Sequence, residues 1–275
     1  MKTRILTSAV IVAVLLPVFI FSDTVAYPIV LGLLGLCSVF EVLRVLGVHK
    51  VGIIAAPAYL IAALAPVGAF FFKGRPEQYF LLCAGVLFFY MLYLFAVAVF
   101  ERGSYPFVIY CEALVMTIYI TLSYTSMMLV RYCEHGGFYF VLVFAAAWVT
   151  DVFAYFSGTL FGRHKLIPEV SPKKTVEGSI GGILFATLSF LLAGLIAQSF
   201  FGIRPNYPVL AAAGFVLSIV SQIGDLVASL VKREHGVKDY GKILPGHGGI
   251  MDRFDSVLAV STVLFLLVTV VPLCF

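Results

Sequence analysis

Charge is what this sequence has least of. Its 275 residues include 18 Lys and Arg and 14 Asp and Glu, so only 12% are charged, against roughly 25% in a soluble domain. There is one tryptophan, and the five cysteines (Cys37, Cys83, Cys111, Cys133, Cys274) form no Cys-x-x-Cys or Cys/His cluster. That spacing points to neither a zinc site nor a disulfide framework. Walker A and Rossmann fingerprints are both missing, so any nucleotide must be held in another way. In place of charge the chain is 62% apolar, with a mean hydropathy of +1.08. One water-soluble core of this size could not hide that excess. A soluble enzyme, a secreted disulfide scaffold and a disordered regulator are therefore excluded. A β-barrel is disfavoured, because its strands alternate apolar with polar residues and dilute the apolar fraction.

What is present is a series of long hydrophobic runs. At about 20 residues per bilayer crossing, the sequence predicts nine spans, near 5–22, 24–43, 51–72, 78–100, 105–130, 138–160, 180–201, 208–230 and 254–274. The first ends at Phe21-Ser22-Asp23 without a small-x-small cleavage site, and a second run follows at once, so it reads as a span and not a signal peptide. With Lys2 and Arg4 placed inside, the cytoplasmic segments collect fourteen of the eighteen basic residues; only Lys73, Arg75, Arg131 and Arg204 fall outside. That asymmetry follows the positive-inside rule. The expected architecture is an all-α, polytopic transmembrane helix bundle, N-in and C-out. Residues 1–137 are expected to be scaffold helices, and 138–275 a catalytic region with cytoplasmic loops 161–179 and 231–253. The net charge of +4 fits cytoplasmic loops, not nucleic-acid binding.

The few charges are concentrated. Of 32 charged side chains, six lie in 161–179 and ten in 225–255. Asp151 and Asp225 fall inside predicted spans, where a carboxylate costs at least about 2.5–3.5 kcal/mol and needs a partner or a cavity. Ser218, Ser221 or Gln222, Asp225, Ser229 and Lys232 recur at three- to four-residue steps, one polar stripe on one helix face. Such a stripe is either a hydrogen-bonding seam between helices or the edge of a polar site. Asp252 and Asp255 share a face at the start of the last helix, where carboxylates also serve as caps. Hard oxygen ligands from two helices suit Mg²⁺, which keeps some waters and binds substrate phosphate. Lys173, Lys174, Lys232, Arg233, Lys238, Lys242 and Arg253 lie in or beside the same two loops and are natural phosphate partners. Carboxylates beside cations in this way suit phosphoryl or nucleotidyl transfer. Glu41 and Arg44, three apart, read as a pair at a helix end. Glu112 has no assignable role.

The stretch Ser229–Asp255 reads SLVKREHGVKDYGKILPGHGGIMDRFD. It resembles the signature of the phosphatidate cytidylyltransferase (CDP-diacylglycerol synthase) family. The matching positions are Ser229, Lys232-Arg233, Lys238-Asp239, His247-Gly248-Gly249, Asp252-Arg253 and Asp255. The upstream block Thr150-Asp151, Gly158, Gly162 and Ser171-Pro172-Lys173-Lys174-Thr175 with Glu177-Gly178 is similar to that family's second block. The resemblance implies transfer of a cytidylyl group from CTP to phosphatidic acid, yielding CDP-diacylglycerol and pyrophosphate. It implies a Mg²⁺ requirement in a site with room for a second cation, a homodimer, and a bacterial inner membrane with the site facing the cytoplasm. It also implies metal at Asp225 and Asp252, with Asp255 beside them. Asp225, Asp252, Lys232, Arg233, Lys238 and Asp239 would form the catalytic centre. Lys173, Lys174, Ser229, Lys242, His247, Gly248, Gly249, Arg253 and Asp151 would bind substrate. Two other readings are a CTP-dependent enzyme with a different membrane-lipid acceptor and a cation-coupled transporter. The second leaves the 231–253 loop without a role and would predict internal repeats, of which the sequence has none.

Overall fold

The structure, a computed structural model, describes residues 22–101, 104–244, 246 and 248–275. The first expected span, the basic residues Lys2, Arg4 and Arg102, and the loop residues Pro245 and His247 lie outside the described residues. Among the described residues, eight helices are long and apolar enough to cross a membrane: α1 (Ala26–Val45), α2 (Gly52–Phe72), α3 (Pro76–Phe100), α4 (Phe107–Tyr132), α5 (Gly136–Phe161), α6 (Val176–Phe201), α7 (Tyr207–Glu234) and α8 (Met251–Val270). At 1.5 Å per residue even the 20-residue α1 covers about 30 Å, the thickness of a bilayer's hydrocarbon core. The all-α, multi-pass membrane architecture is thus as the hydropathy predicts.

Helix α3 shows why these segments belong in lipid. Tyr79, Cys83, Leu87, Tyr90, Leu94 and Val97 recur on one buried face. The rest of its circumference is equally apolar but exposed, including Leu81, Phe89 and Val99. A helix hydrophobic all round has no stable place in water.

The chain divides into two compact units. One comprises 22–129 with Glu234–Phe254. Within it α1 lies against α2 through glycine: a Cβ at Gly35 would stand 2.8 Å from the Ala62 carbonyl oxygen. Ser38 and Tyr124 hydroxyls meet at 3.1 Å, and the Tyr124 ring packs on Phe254 with centroids 5.9 Å apart. The segment between α7 and α8 belongs here and is pinned by an antiparallel bridge between Leu244 and Gly248.

The other unit comprises Val130–Arg233 with Asp255–Phe275. Its centre is the packing of α5 on α6, where glycines again permit backbone contact: a Cβ at Gly178 would lie 2.6 Å from the Ala154 carbonyl oxygen, and one at Gly182 would lie 2.9 Å from that of Thr150. Gly178, in the upstream sequence block, and Gly182 after it are therefore helix-contact residues, as small residues are in membrane bundles generally. Phe153 and Phe185 stack across the same seam at 4.0 Å. The chain end is tied to the α6–α7 connection by Asn206 N–H to Leu273 O and Phe275 N–H to Arg204 O, both at 2.8 Å.

Four local features depart from the hydropathy reading. Residues 165–175 form an antiparallel β-hairpin, β1 (Lys165–Ile167) and β2 (Ser171–Thr175). Helix α6 begins four residues early at Val176, because Thr175 caps it: its hydroxyl accepts the Gly178 N–H at 3.1 Å. Helix α7 runs on through Glu234, so Lys232 and Arg233 stand on its last turn and not in a loop. Basic side chains suit the negative end of a helix, which lets the helix outlast its apolar run. Finally, α5 carries a π-helical turn at Ala145–Val149, just before Thr150 and Asp151.

Overpacking a site with no room for a side chain costs typically ~1–3 kcal/mol. Gly182→Val is expected to lower the thermal midpoint of the detergent-solubilised protein by several degrees, read by temperature-dependent gel filtration. Gly52→Val, where a Cβ meets nothing within 4 Å, is expected to leave it unchanged.

Candidate active site

In the unit built on α5–α7, the polar stripe of α7 divides into two parts. Its upper half is a seam: the buried Ser218 hydroxyl accepts from Thr150 at 2.7 Å, and the Gln222 amide donates to the Ser179 carbonyl at 3.4 Å. Its lower half is ionic. Asp225 forms an ion pair with Lys174 of β2. Asp255, on α8, is buried and accepts the Ser256 N–H at 2.8 Å; Asp225, Lys232 and Asp151 are all near enough to act on its charge. Ser229 and Lys232 are buried on the same helix. Arg233 is turned to the hairpin, where its Nε donates to the Val170 carbonyl at 3.4 Å.

Beside this cluster is a cavity of about 420 Å³, lined among others by Asp151, Gly158, Lys165, Lys173, Lys174 and Gln222. The hairpin builds its basic wall, since pairing of β1 with β2 aligns Lys165 with Thr175. Lys165 is thus a candidate that sequence reasoning missed. It had only a loop position there, because a three-residue strand carries no hydropathy signal. The hairpin's approach to α6 is fixed by His164, whose Nδ1 lies 2.6 Å from Glu177 Oε1.

In the unit that contains the α7–α8 segment, Asp252 stands in the first turn of α8. Its Oδ2 accepts two backbone N–H groups, from Tyr240 at 2.8 Å and Gly249 at 2.9 Å. Gly248 has φ +85°, and a Cβ there would stand 2.9 Å from Asp252 Oδ2 and 3.4 Å from Asp239 Cβ. The Gly248-Gly249 pair thus does what the signature requires of it: a left-handed turn and a close backbone approach to a carboxylate. Lys238, Asp239, Lys242 and Arg253 are exposed around it. Glu112 of α4, without a role in the sequence, pairs with His235, Oε2 to Nε2 2.8 Å. Glu41 and Arg44, expected to pair with each other, both engage this segment: Glu41 Oε2 accepts the Met251 N–H at 2.9 Å, and Arg44 donates to the Tyr240 carbonyl at 2.5 Å.

Among the described residues, no three His, Cys, Asp or Glu side chains gather as a metal-binding group. The donor chemistry nevertheless fits Mg²⁺, which takes one or two carboxylates and completes its shell with water and substrate phosphate. In one unit the arrangement supplies a carboxylate held by lysine beside a lysine-lined cavity of a size for small phosphorylated molecules, and in the other a carboxylate held by backbone N–H groups.

Comparison with known proteins agrees with this chemistry. The sequence pattern of the Cytidylyltransferase family matches residues 2–271. The phosphatidate cytidylyltransferase of Staphylococcus haemolyticus (strain JCSC1435) is 32% identical over 269 residues, which is 97% of this chain and 98% of that protein. Those of Staphylococcus epidermidis (strain ATCC 12228 / FDA PCI 1200) and Staphylococcus aureus (strain COL) are 34% and 35% identical over the same shares. Likeness that runs through all eight described helices as well as the signature loop leaves one conclusion: this chain belongs to the cytidylyltransferase family.

Proposed function

We propose that this protein transfers the cytidylyl group of CTP to phosphatidic acid, releasing pyrophosphate and leaving CDP-diacylglycerol in the membrane. The observation that carries the reading is the signature Ser229–Asp255, folded so that Asp252 is clasped by the N–H groups of Tyr240 and Gly249. It is supported by relatives of that name matched end to end.

In the reaction an oxygen of the lipid phosphate forms a new bond to the α-phosphorus of CTP, and the α–β phosphoanhydride bond breaks. A phosphomonoester has its second pKa near about 6, so the lipid nucleophile is already largely ionised at neutral pH and demands no general base. The work left to the protein is positioning and charge neutralisation. Lys165, Lys173 and Lys174 at the cavity, with Lys232, Arg233, Lys238, Lys242 and Arg253, supply cations for the phosphates. Ser229, Asp239, Asp151, His247, Gly248 and Gly249 complete the substrate contacts. Asp225, Asp252 and Asp255 are the groups that would hold Mg²⁺, with room for a second cation, and a bound cation would neutralise charge developing on the pyrophosphate. In this reading the region 138–275 carries the chemistry on a scaffold of 1–137. The protein is a homodimer of the bacterial cytoplasmic membrane with its site on the cytoplasmic side, where CTP is found.

The purified protein with labelled CTP, Mg²⁺ and phosphatidate is expected to form CDP-diacylglycerol and pyrophosphate in equal amounts. No product with phosphatidate or any other lipid phosphate would sink the enzyme reading, and product only with another lipid acceptor would reassign the substrate. Asp225→Asn and Asp252→Asn are each expected to abolish turnover while the folded protein remains extractable; near-normal activity in either removes it from the metal site.

The cavity makes a separate prediction. Lys165→Ala and Lys173→Ala are each expected to raise KM for CTP or for phosphatidate about tenfold, the loss of roughly one charge-assisted hydrogen bond. Initial rates with one substrate varied at a time decide between them, and unchanged KM values for both substrates would rule the lysine wall out of the site.

A further inference from the structure

The segment that presents Asp252 is gripped from a distant part of the chain. Glu41 lies on α1, 210 residues from its hydrogen-bond partner Met251, and its side chain is completely buried. Its carboxylate is wedged against two glycines: a Cβ at Gly241 or at Gly249 would overlap it. One helical turn on, Arg44 holds the carbonyl of Tyr240. Tyr240 and Gly249 are the two residues whose N–H groups hold Asp252 Oδ2. The two α1 side chains therefore hold both backbone donors of that carboxylate, Arg44 through the Tyr240 carbonyl and Glu41 by contact with Gly249 and by its hydrogen bond to Met251 two residues on.

A carboxylate is an expensive choice for this position. Burial costs an ionisable group far more than it costs leucine, and here one oxygen, Oε1, is buried with no hydrogen-bond partner among the described residues. The Met251 N–H is one of the donors at the start of α8 that has no partner within the helix, and a carboxylate there also complements the helix dipole. Leucine would fill the space but leave that donor unpaired and the Gly241–Gly249 gap unclamped.

We propose that Glu41, assisted by Arg44, is a positioning residue for nucleotidyl transfer, fixing the Tyr240–Met251 segment so that Asp252 presents its carboxylate to the divalent cation. The proposal rests on the reading of Asp252 as a cation-binding residue. Groups that orient a metal ligand without touching the metal typically change affinity 10–100-fold when removed, and that is the scale expected.

The test is Mn²⁺ binding to the full-length detergent-solubilised protein without substrates, followed by electron paramagnetic resonance, alongside the Mg²⁺ concentration for half-maximal activity. Glu41→Leu is expected to weaken Mn²⁺ binding and raise the Mg²⁺ requirement at least about tenfold, with KM for phosphatidate little changed. Glu41→Gln keeps an acceptor for the Met251 N–H and is expected to stay within about threefold of the native protein. Arg44→Met, at an exposed position, is expected to shift both readouts about three- to tenfold, which keeps the proposal testable if Glu41→Leu does not fold. Asp252→Asn separates the two layers. If it binds Mn²⁺ normally, the reading of Asp252 fails. If it loses Mn²⁺ while the folded Glu41 and Arg44 variants bind like the native protein, the positioning role is overturned.

Discussion

A carboxylate removed from water must find a donor or a cation, and most of the described site follows from that constraint. Four of its acids show how the requirement is met. Asp225 takes the ammonium of Lys174, Glu112 takes the imidazole of His235, and Asp252 and Glu41 take backbone N–H groups. In a protein with only 14 Asp and Glu residues, so many committed acids mark where solvation has been replaced by fixed dipoles. Fixed donors need no reorganisation when a polyphosphate arrives, which is what transfer between two anions demands.

Backbone can serve as a partner only where side chains stay out of the way. That is the common function of the glycines at the two ends of the chemistry. Gly178 and Gly182 let α5 and α6 touch main chain to main chain, which sets the hairpin and its lysines against the cavity. Gly241 and Gly249 let the Glu41 carboxylate close on the α7–α8 segment, and Gly248 makes its left-handed turn. Packing and electrostatics are thus one design: the small residues admit the backbone, and the backbone solvates the acids. Helix α7 links the two demands along its own length, with a neutral seam at Ser218 and ions from Asp225 onward.

The helices and the signature were legible in sequence because each is a local pattern. Runs of about 20 apolar residues need no partner to declare themselves, and α1 to α8 begin and end within a few residues of the hydropathy boundaries. The exceptions are polar: α7 outlasts its apolar run by a turn, and the hairpin at 165–175 has too few residues and too little alternation to be read as strands. Asp151, Asp225 and Asp252 stood out because acids within or beside spans are rare. Glu41 did not, because Arg44 offered an obvious neighbour in sequence, and only the fold shows that each has a different partner about 200 residues away. Lys165 and the Glu112–His235 pair were hidden for the same reason.

The sequence by itself determined the solvent this chain folds in, the approximate limits of its described helices, and which charged groups are candidates for chemistry. Hydropathy and residue type are properties of each position, so they survive without coordinates. Tertiary structure alone decided the partners: that Lys174 neutralises Asp225, that a β-hairpin builds the basic wall of the cavity, and that an acid on the first described helix holds the loop before the last. Partnership is set by where helices cross and by which glycines let them approach, and no spacing along the chain encodes a contact between residues 41 and 251.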